Sequence, residues 1–521
     1  MTRSVWRRIK ELRIVISLVF FTLFTLMFVD AWHFFPKRAA SALLSLQLVP
    51  TLLKFSTIGG VAAASGLALV VVMTLLFGRV YCSTICPLGV LQDIMFRIAR
   101  KMNKRKRFRY NRAPQWLHYS VLAVSVFLML TGSSMLIGDL LEPFSNYGRL
   151  VNAFALPSLV LTNNAIADIL GRFEVFFLYN VPLHLEGLGA MSLGILFLLT
   201  LGFLSVTEGR LFCNTFCPTG AILSLMSRLS LTRLAIARDI CNNCGACDKV
   251  CKAECINSKS KAIDFSACVG CFNCVSACPE EAIRYERRRV PDFLPSEGKF
   301  DKGRREFFRN VTVPTATFLI APGLVQGGSV LLNEAKPVTP PGSLSLSHFT
   351  SICTACHLCV TSCPTGVLQP SFMEFGLSGM FQPKMDYSVN YCNYDCVICG
   401  EVCPTGAIVP LDVPTKKLVQ IGKTTFEKDD CVVVSKKKDC AACSEHCPTK
   451  AVHTIPYENG LMLPEVDDGL CIGCGACEHA CPVTPKKAIF VNANEIHQKA
   501  RKPKVEKAKE PVPAASGDFP F

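Results

Sequence analysis

The sequence contains no Walker loop, no nicotinamide fingerprint in a strand–turn–helix setting and no nucleophile triad. Nucleotide hydrolysis, nicotinamide hydride transfer and acyl transfer therefore have no visible machinery, and substrate chemistry is expected of a partner. Charge is sparse: Asp, Glu, Lys and Arg make up 18% of the 521 residues, against roughly 25% in ordinary soluble domains. Acids are the scarcer sign, 40 against 55 bases, for a net charge of +15. Histidine is scarce too. His33, His118 and His184 stand near the ends of apolar segments, and no pair is placed to ligate a transmembrane haem.

What is abundant is apolar sequence and cysteine. Half of the chain is hydrophobic, concentrated before residue 210. Four segments have the roughly 20 apolar residues that a spanning helix needs: Ile14–Trp32, Ile58–Phe77, Trp116–Ile137 and Leu188–Val206. Arg3, Arg7, Arg8, Lys10 and Arg13 precede the first. Its length and the lack of a small-residue cleavage site argue against a cleaved signal peptide. Nine bases and no acid fall between Arg97 and Arg112, whereas residues 139–186 hold five acids and only Arg149 and Arg172. The positive-inside rule then puts the N-terminus and the 97–112 loop in the cytoplasm and the 139–186 loop outside. On that reading the basic run is a topology signal rather than a nucleic-acid site. Two further apolar stretches, Leu44–Leu53 and Leu150–Leu170, carry Pro, Asn or Asp and read as interfacial or re-entrant.

An internal repeat follows the second and fourth spans. Gly78-Arg79-Val80-Tyr81-Cys82 leads to Cys86-Pro87-Leu88-Gly89, and Gly209-Arg210-Leu211-Phe212-Cys213 leads to Cys217-Pro218-Thr219-Gly220. Each C-x3-C-P offers two sulfurs, too few for a cluster. The repeat places both on one membrane face, so Cys82, Cys86, Cys213 and Cys217 could converge. Metal binding, redox-active disulfides, thiols beside a quinone and plain helix-ending Cys-Pro turns all remain open.

Of the 29 cysteines, 24 fall into six groups of four. The spacing C-x2-C-x2-C-x3-C-P is that of two-cluster ferredoxins, where three cysteines hold one [4Fe–4S] cluster and the fourth reaches the neighbouring one. A first pair, residues 235–285, predicts one cluster on Cys241, Cys244, Cys247 and Cys278, and another on Cys268, Cys271, Cys274 and Cys251. Lys252 stands where proline is expected, and the extra Cys255 aligns with Ala282 as a small buried residue. A second domain, residues 343–494, has two regular motifs (Cys353, Cys356, Cys359, Cys363 and Cys471, Cys474, Cys477, Cys481). Two more are stretched: Cys392, Cys396, Cys399, Cys403 and Cys431, Cys440, Cys443, Cys447. Outer motifs are expected to pair with each other and inner ones together, with sequential pairing as the alternative. Zinc also takes C-x2-C pairs, but the recurrent C-P endings favour iron. Cys353-Thr354-Ala355-Cys356-His357 matches the c-type haem signal; both cysteines are already spoken for, which leaves His357 a bystander.

Between the two cysteine-rich parts, residues 286–342 form a linker. Gly303-Arg304-Arg305-Glu306-Phe307-Phe308-Arg309 precedes the apolar Val311–Leu332, the pattern of a Tat export signal or a fifth span. Pro-rich Lys336–Pro341 follows, and residues 495–521 read as a disordered tail. The expected architecture is an α-helical membrane domain (residues 1–234, four spans or five) with two α+β ferredoxin-like [4Fe–4S] domains, the first cytoplasmic and the last periplasmic.

With these motifs in view, residues 1–285 resemble the NapH/MauN/NosR class of membrane ferredoxin-type proteins, and residues 300–494 resemble the Tat-exported NapG/MauM polyferredoxins. The resemblance implies a natural fusion of two partners that work as a quinol dehydrogenase feeding a periplasmic reductase in a bacterial inner membrane. It implies about six [4Fe–4S] clusters and contact with the quinone pool, with Asp30, His33 and Glu142 as candidate quinone contacts. The chain also resembles, over its membrane half alone, copper-reducing assembly factors of the CcoG kind, so metal- or disulfide-reducing maturation competes. A wire subunit of a larger complex is the third reading. Nothing in the sequence points to nucleic acid.

Overall fold

The computed structural model describes residues 3–30, 35–102, 115–130, 140–181, 188–287 and 336–502. The twin-arginine motif, the Val311–Leu332 segment, His33 and His184 lie outside the described residues.

Among the described residues, three helices are long and apolar enough to cross a membrane: Val5–Phe28, Pro143–Gly171 and Gly189–Glu208. A fourth candidate is bent by 102° between Arg38–Ser45 and Leu48–Thr57. The expected spans are thus redistributed. The Ile58–Phe77 segment folds as a helix of 17 residues, Val61–Phe77, after the glycine pair Gly59–Gly60, both at positive φ. Of the Trp116–Ile137 segment, Gln115–Leu130 is helical and the residues after it lie outside the described residues. Leu150–Leu170, read as interfacial, belongs instead to the Pro143–Gly171 helix. Its polar residues did not break it because they find partners: Asn164 donates to Val181 O and accepts from Val181 N, and Asn163 donates to Tyr179 O. Pro157 is absorbed where a π-helical turn, Val151–Ala155, hands over to α-helix. On Gly189–Glu208, Leu196, Leu199 and Phe203 are each more than half exposed, at the i, i+3, i+7 spacing of one stripe. Such a stripe is unfavourable in water and costs nothing in hydrocarbon.

The first cysteine-rich unit closes on an antiparallel pair, Thr232–Ile236 with Ile283–Arg287, around two short helices, Ala246–Val250 and Asn273–Ala277. The second has three antiparallel pairs: Leu368–Pro370 with Pro383–Met385, Val452–Pro456 with Met462–Val466, and Val419–Phe426 with Ile489–Lys499. The boundaries drawn from sequence move outward here. Lys336–Pro341 is no linker: Val338 and Thr339 are buried, and Met385 N donates to Val338 O. The last strand runs to Lys499, with His497 packed against the Thr339 hydroxyl; a polar composition there concealed a strand that pairs in tertiary space.

Candidate iron–sulfur sites

In the four regular motifs the backbone makes the same turn. The residues on either side of the second cysteine take left-handed conformations: Asn243 and Gly245, Gly270 and Phe272, Ala355 and His357, Gly473 and Gly475. This curls three cysteines toward one point, and non-glycine residues accept a strained φ to do so. The stretched motifs do without it, since Val397 and Ala441 have φ of −129° and −122°.

The sulfurs gather as the swapped ferredoxin pattern requires. Cys241, Cys244, Cys247 and Cys278 line one cavity of the first unit. Cys251, Cys268, Cys271 and Cys274 line the other, together with Cys255. Ala282 and Cys255 occupy equivalent places, as their alignment predicted, but Cys255 is more than a filler: its Sγ lies 3.6 Å from Cys251 Sγ. The Cys255 S–H and the backbone N–H groups of residues 253–255 lower the Cys251 thiol, while Cys255 itself is pushed up. Cys251 holds the place that Cys278 holds in the other motif, and Cys255 the place of Ala282. We expect Cys255→Ala to keep every cluster and Cys251→Ala to lose one, about 4 irons per chain by iron analysis; iron loss in the first variant alone would reverse the assignment.

In the second unit the expected outer-with-outer nesting is wrong, and sequential pairing holds. Cys363 shares a cavity with Cys392, Cys396 and Cys399, while Cys403 acts electrostatically on Cys356 and Cys359. Likewise Cys447 acts on Cys474 and Cys477, and Cys481 on Cys431. The physical reason is that each consecutive pair builds its own apolar core, one around Phe349, Val367 and Ile408, the other around Val433, Val452 and Ile489. The two halves abut where Cys392 N donates to Cys474 O at 2.9 Å and the Tyr387 hydroxyl donates to Gly473 O.

These sets fit clusters on their own chemistry. All 24 cysteines are unpaired thiols gathered in fours, and backbone N–H groups point at the swapped sulfurs. Ala282 N donates to Cys278 Sγ, Ile408 N to Cys403 Sγ and Val452 N to Cys447 Sγ, at 3.3, 3.4 and 3.5 Å. Such N–H···S bonds set reduction potentials. Among the described residues no three His, Cys, Asp or Glu side chains close on a single metal ion; the sets of Cys241, Cys268 and Cys392 each stand round a cavity rather than a point.

The two C-x3-C-P repeats interlock. Arg79 Nη2 donates to Cys213 O and Arg210 Nη1 to Cys82 O, both at 3.0 Å. Each arginine lies against the other repeat's last glycine, where a Cβ on Gly220 or Gly89 would stand 3.0 or 2.7 Å from the guanidinium. Arg210 also pairs with Asp93 at 2.8 Å, and Asp93 is bonded to Lys252 and lies 4.0 Å from Arg13. Burial pushes the Asp93 carboxyl up, but Arg210, Lys252 and Arg13 more than offset it and hold it at about 2. Sequence reading missed Asp93, although Lys252 in place of proline was its visible trace: the lysine leaves the ferredoxin turn to reach this carboxylate.

Of the candidate quinone contacts, His33 lies outside the described residues. Asp30 accepts from Phe35 N. Glu142 is buried and caps the helix that starts at Pro143. His357 is bonded to Phe381 O and lies within 3.5 Å of Asn152 Nδ2.

A family described as a 4Fe-4S binding domain matches residues 60–105 and 190–236, the two C-x3-C-P repeats with their preceding helices. A second family of the same description matches residues 261–284 and 464–484. The chain is 29% identical over 157 residues to the ferredoxin-type protein NapF of Escherichia coli (strain K12), covering 30% of this chain and 87% of the relative. It is 29% identical over 210 residues to the ferredoxin-type protein NapG of the same organism, covering 38% of this chain and 89% of the relative. A putative electron transport protein of that strain, YccM, is 27% identical over 233 residues, 44% of this chain and 58% of the relative. No solved structure matches. The chain is a ferredoxin-type iron–sulfur protein with helices apolar enough for a membrane.

Proposed function

We propose that the chain sits in the bacterial inner membrane and relays electrons between the quinol pool and a periplasmic redox protein. One observation carries the reading: the two ferredoxin units meet opposite ends of the same membrane-length helices. Trp6, at the start of the first helix, packs on Phe272 and Tyr285 of the first unit. Phe28, at its end, meets Gly148 beside Cys356 O of the second unit. The 22 residue steps from Trp6 to Phe28 rise roughly 33 Å, close to the hydrocarbon thickness of a bilayer. Two other segments run the opposite way. Thr57 donates to Thr405 O while Phe77 O accepts from the Tyr285 hydroxyl. Gly189 faces Phe372 while Arg210 N donates to Lys252 O.

Bound clusters supply one-electron chemistry. The residues of this chain hold them by thiolate, exclude water with the surrounding apolar cores and tune them with N–H···S bonds. The twin arginine before Val311 supports export of the second unit after it has folded, and the basic 97–112 loop supports a cytoplasmic first unit.

The test is the purified full-length protein in detergent, mixed anaerobically with a reduced quinol and followed by cluster EPR and visible bleaching. Reduction of clusters is expected, together with cleavage of the 336–502 unit by protease added to intact spheroplasts. Clusters that stay oxidised with quinol but are reduced by a reduced cytoplasmic ferredoxin would replace the quinol pool as donor. Protection of the second unit would remove the periplasmic partner.

A further inference from the structure

A cavity of about 530 Å³ opens between the first helix, the helix Pro87–Met102 and the first cysteine-rich unit. Six cationic side chains line it: Lys10, Arg13, Arg97, Arg100, Lys101 and Lys252. One carboxylate, Asp93, stands among them. That carboxylate is already shared, since Arg210 pairs with one of its oxygens at 2.8 Å from outside the lining and Lys252 is bonded to the other. Among the described residues no carboxylate lies within ion-pair distance of Lys10, Arg97, Arg100 or Lys101. The sequence from there to Arg112 adds bases and no acid.

Arg97, Arg100 and Lys101 are exposed, and a basic run of that kind is by itself a solvated, topology-setting face. Burial sets this one apart. Arg13 and Lys252 are 6% and 4% exposed, so part of the charge is held away from water, where an unmatched cation is costly. Arg13 Nη1 donates to Ser83 O at 2.9 Å, but Asp93 is 4.0 Å away, and the Arg13 Nε is buried without a partner. The cavity is also separate from the one that gathers Cys251, Cys268, Cys271 and Cys274, for no residue lines both. The two share a wall: Asn273 and Ser276 face the basic cavity, and Cys274 of the same short helix faces the other.

Position identifies the occupant. Arg13 is the last base before the apolar run that starts at Ile14. Beyond it Val15, Leu18 and Val19 are exposed apolar side chains, as residues facing lipid are. The cavity thus stands at the polar end of a membrane-length helix, at the level of phospholipid headgroups. Guanidinium and ammonium donors match phosphate oxygens in charge and geometry, and basic pockets between membrane helices take anionic headgroups. We infer that this cavity binds the phosphate of an anionic phospholipid from the adjoining leaflet. The inference rests on the membrane reading, but not on quinol or on the direction of electron flow. It has a redox consequence. A negative charge seated against the helix Asn273–Ala277 disfavours an added electron on the cluster that Cys274 serves, so bound lipid lowers the midpoint potential of that cluster.

The test is native mass spectrometry of the full-length, iron-loaded protein, delipidated in a neutral detergent. It is titrated with phosphatidylglycerol, cardiolipin, phosphatidylcholine or inorganic phosphate. The anionic lipids are expected to bind ahead of phosphatidylcholine. Lys10→Gln and Arg97→Gln should each weaken them roughly fivefold, and Arg97→Lys should recover much of the loss. Arg8 is an exposed base of the same helix outside the cavity lining, so Arg8→Gln should leave the affinity unchanged. Iron content reports that each variant has folded. In potentiometric EPR, phosphatidylglycerol should lower one midpoint in the unsubstituted protein and not in the Lys10→Gln/Arg97→Gln double variant. Unchanged affinity in the cavity variants, or equal weakening by Arg8→Gln, would overturn the inference, the latter by making the attraction a diffuse surface effect. Inorganic phosphate binding as tightly as the lipids would overturn it too, by assigning the cavity to a soluble phosphate compound. Alkaline carbonate extraction of membranes scores the membrane reading separately. A chain that stays in the membrane yet shows no lipid preference sinks the lipid site alone, whereas release of the chain sinks both.

Discussion

Replacing Asp93 by Asn is expected to destabilise the protein by about 3–5 kcal/mol, the usual consequence of deleting one partner of a buried ionic cluster. Asp93 joins three cations that come from distant parts of the chain: Arg13 of the first helix, Arg210 of the second repeat and Lys252 of the first ferredoxin unit. All three are no more than 6% exposed. Without the carboxylate they repel one another in a site that water scarcely reaches, and the ferredoxin unit loses an anchor to the helices. The thermal midpoint of the purified protein in detergent, or its yield in membranes, reads the effect. Asp93→Glu keeps the charge and should recover part of the loss. An unchanged midpoint in the Asn variant would mean that the cations find water or lipid phosphate instead, and that the network is not what holds the two parts together.

The second large effect concerns which cysteines share a cluster. Cys363→Ser combined with Cys392→Ser should lose one cluster, about 4 irons, because both residues serve the same site. Cys363→Ser combined with Cys353→Ser should lose two, although these cysteines belong to one sequence motif. Nested pairing predicts two lost clusters in the first combination as well, since Cys363 would then serve the Cys471 set. Iron content and spin quantitation separate the two outcomes, and the remaining clusters act as the folding control within each sample.

Cysteine spacing carries the iron–sulfur chemistry in the sequence because the ligand turn is local. A run such as Cys268-Val269-Gly270-Cys271-Phe272-Asn273-Cys274 fixes its own backbone curl, whatever surrounds it. The swap within the first unit was legible for the same reason, since only one partner motif lies nearby. The apolar runs likewise announced membrane-length helices, because hydrophobicity sums along a segment. What was hidden depends on neighbours remote in the chain. Pro143–Gly171 looked too polar to be one helix until Val181 and Tyr179 supplied partners for its asparagines. Cluster pairing in the second unit depended on which apolar residues share a core, and spacing does not encode that.

The sequence by itself determined that the chain gathers cysteines in fours for iron and carries helices apolar enough for a bilayer; ligand turns and hydrophobic length are both short-range properties. Only the tertiary structure decided that Arg79 and Arg210 cross over to lock the two repeats together, and that the two ferredoxin units stand at opposite ends of one helix. Those are long-range juxtapositions, fixed by buried charge and close backbone packing between segments more than a hundred residues apart, and no local pattern records them.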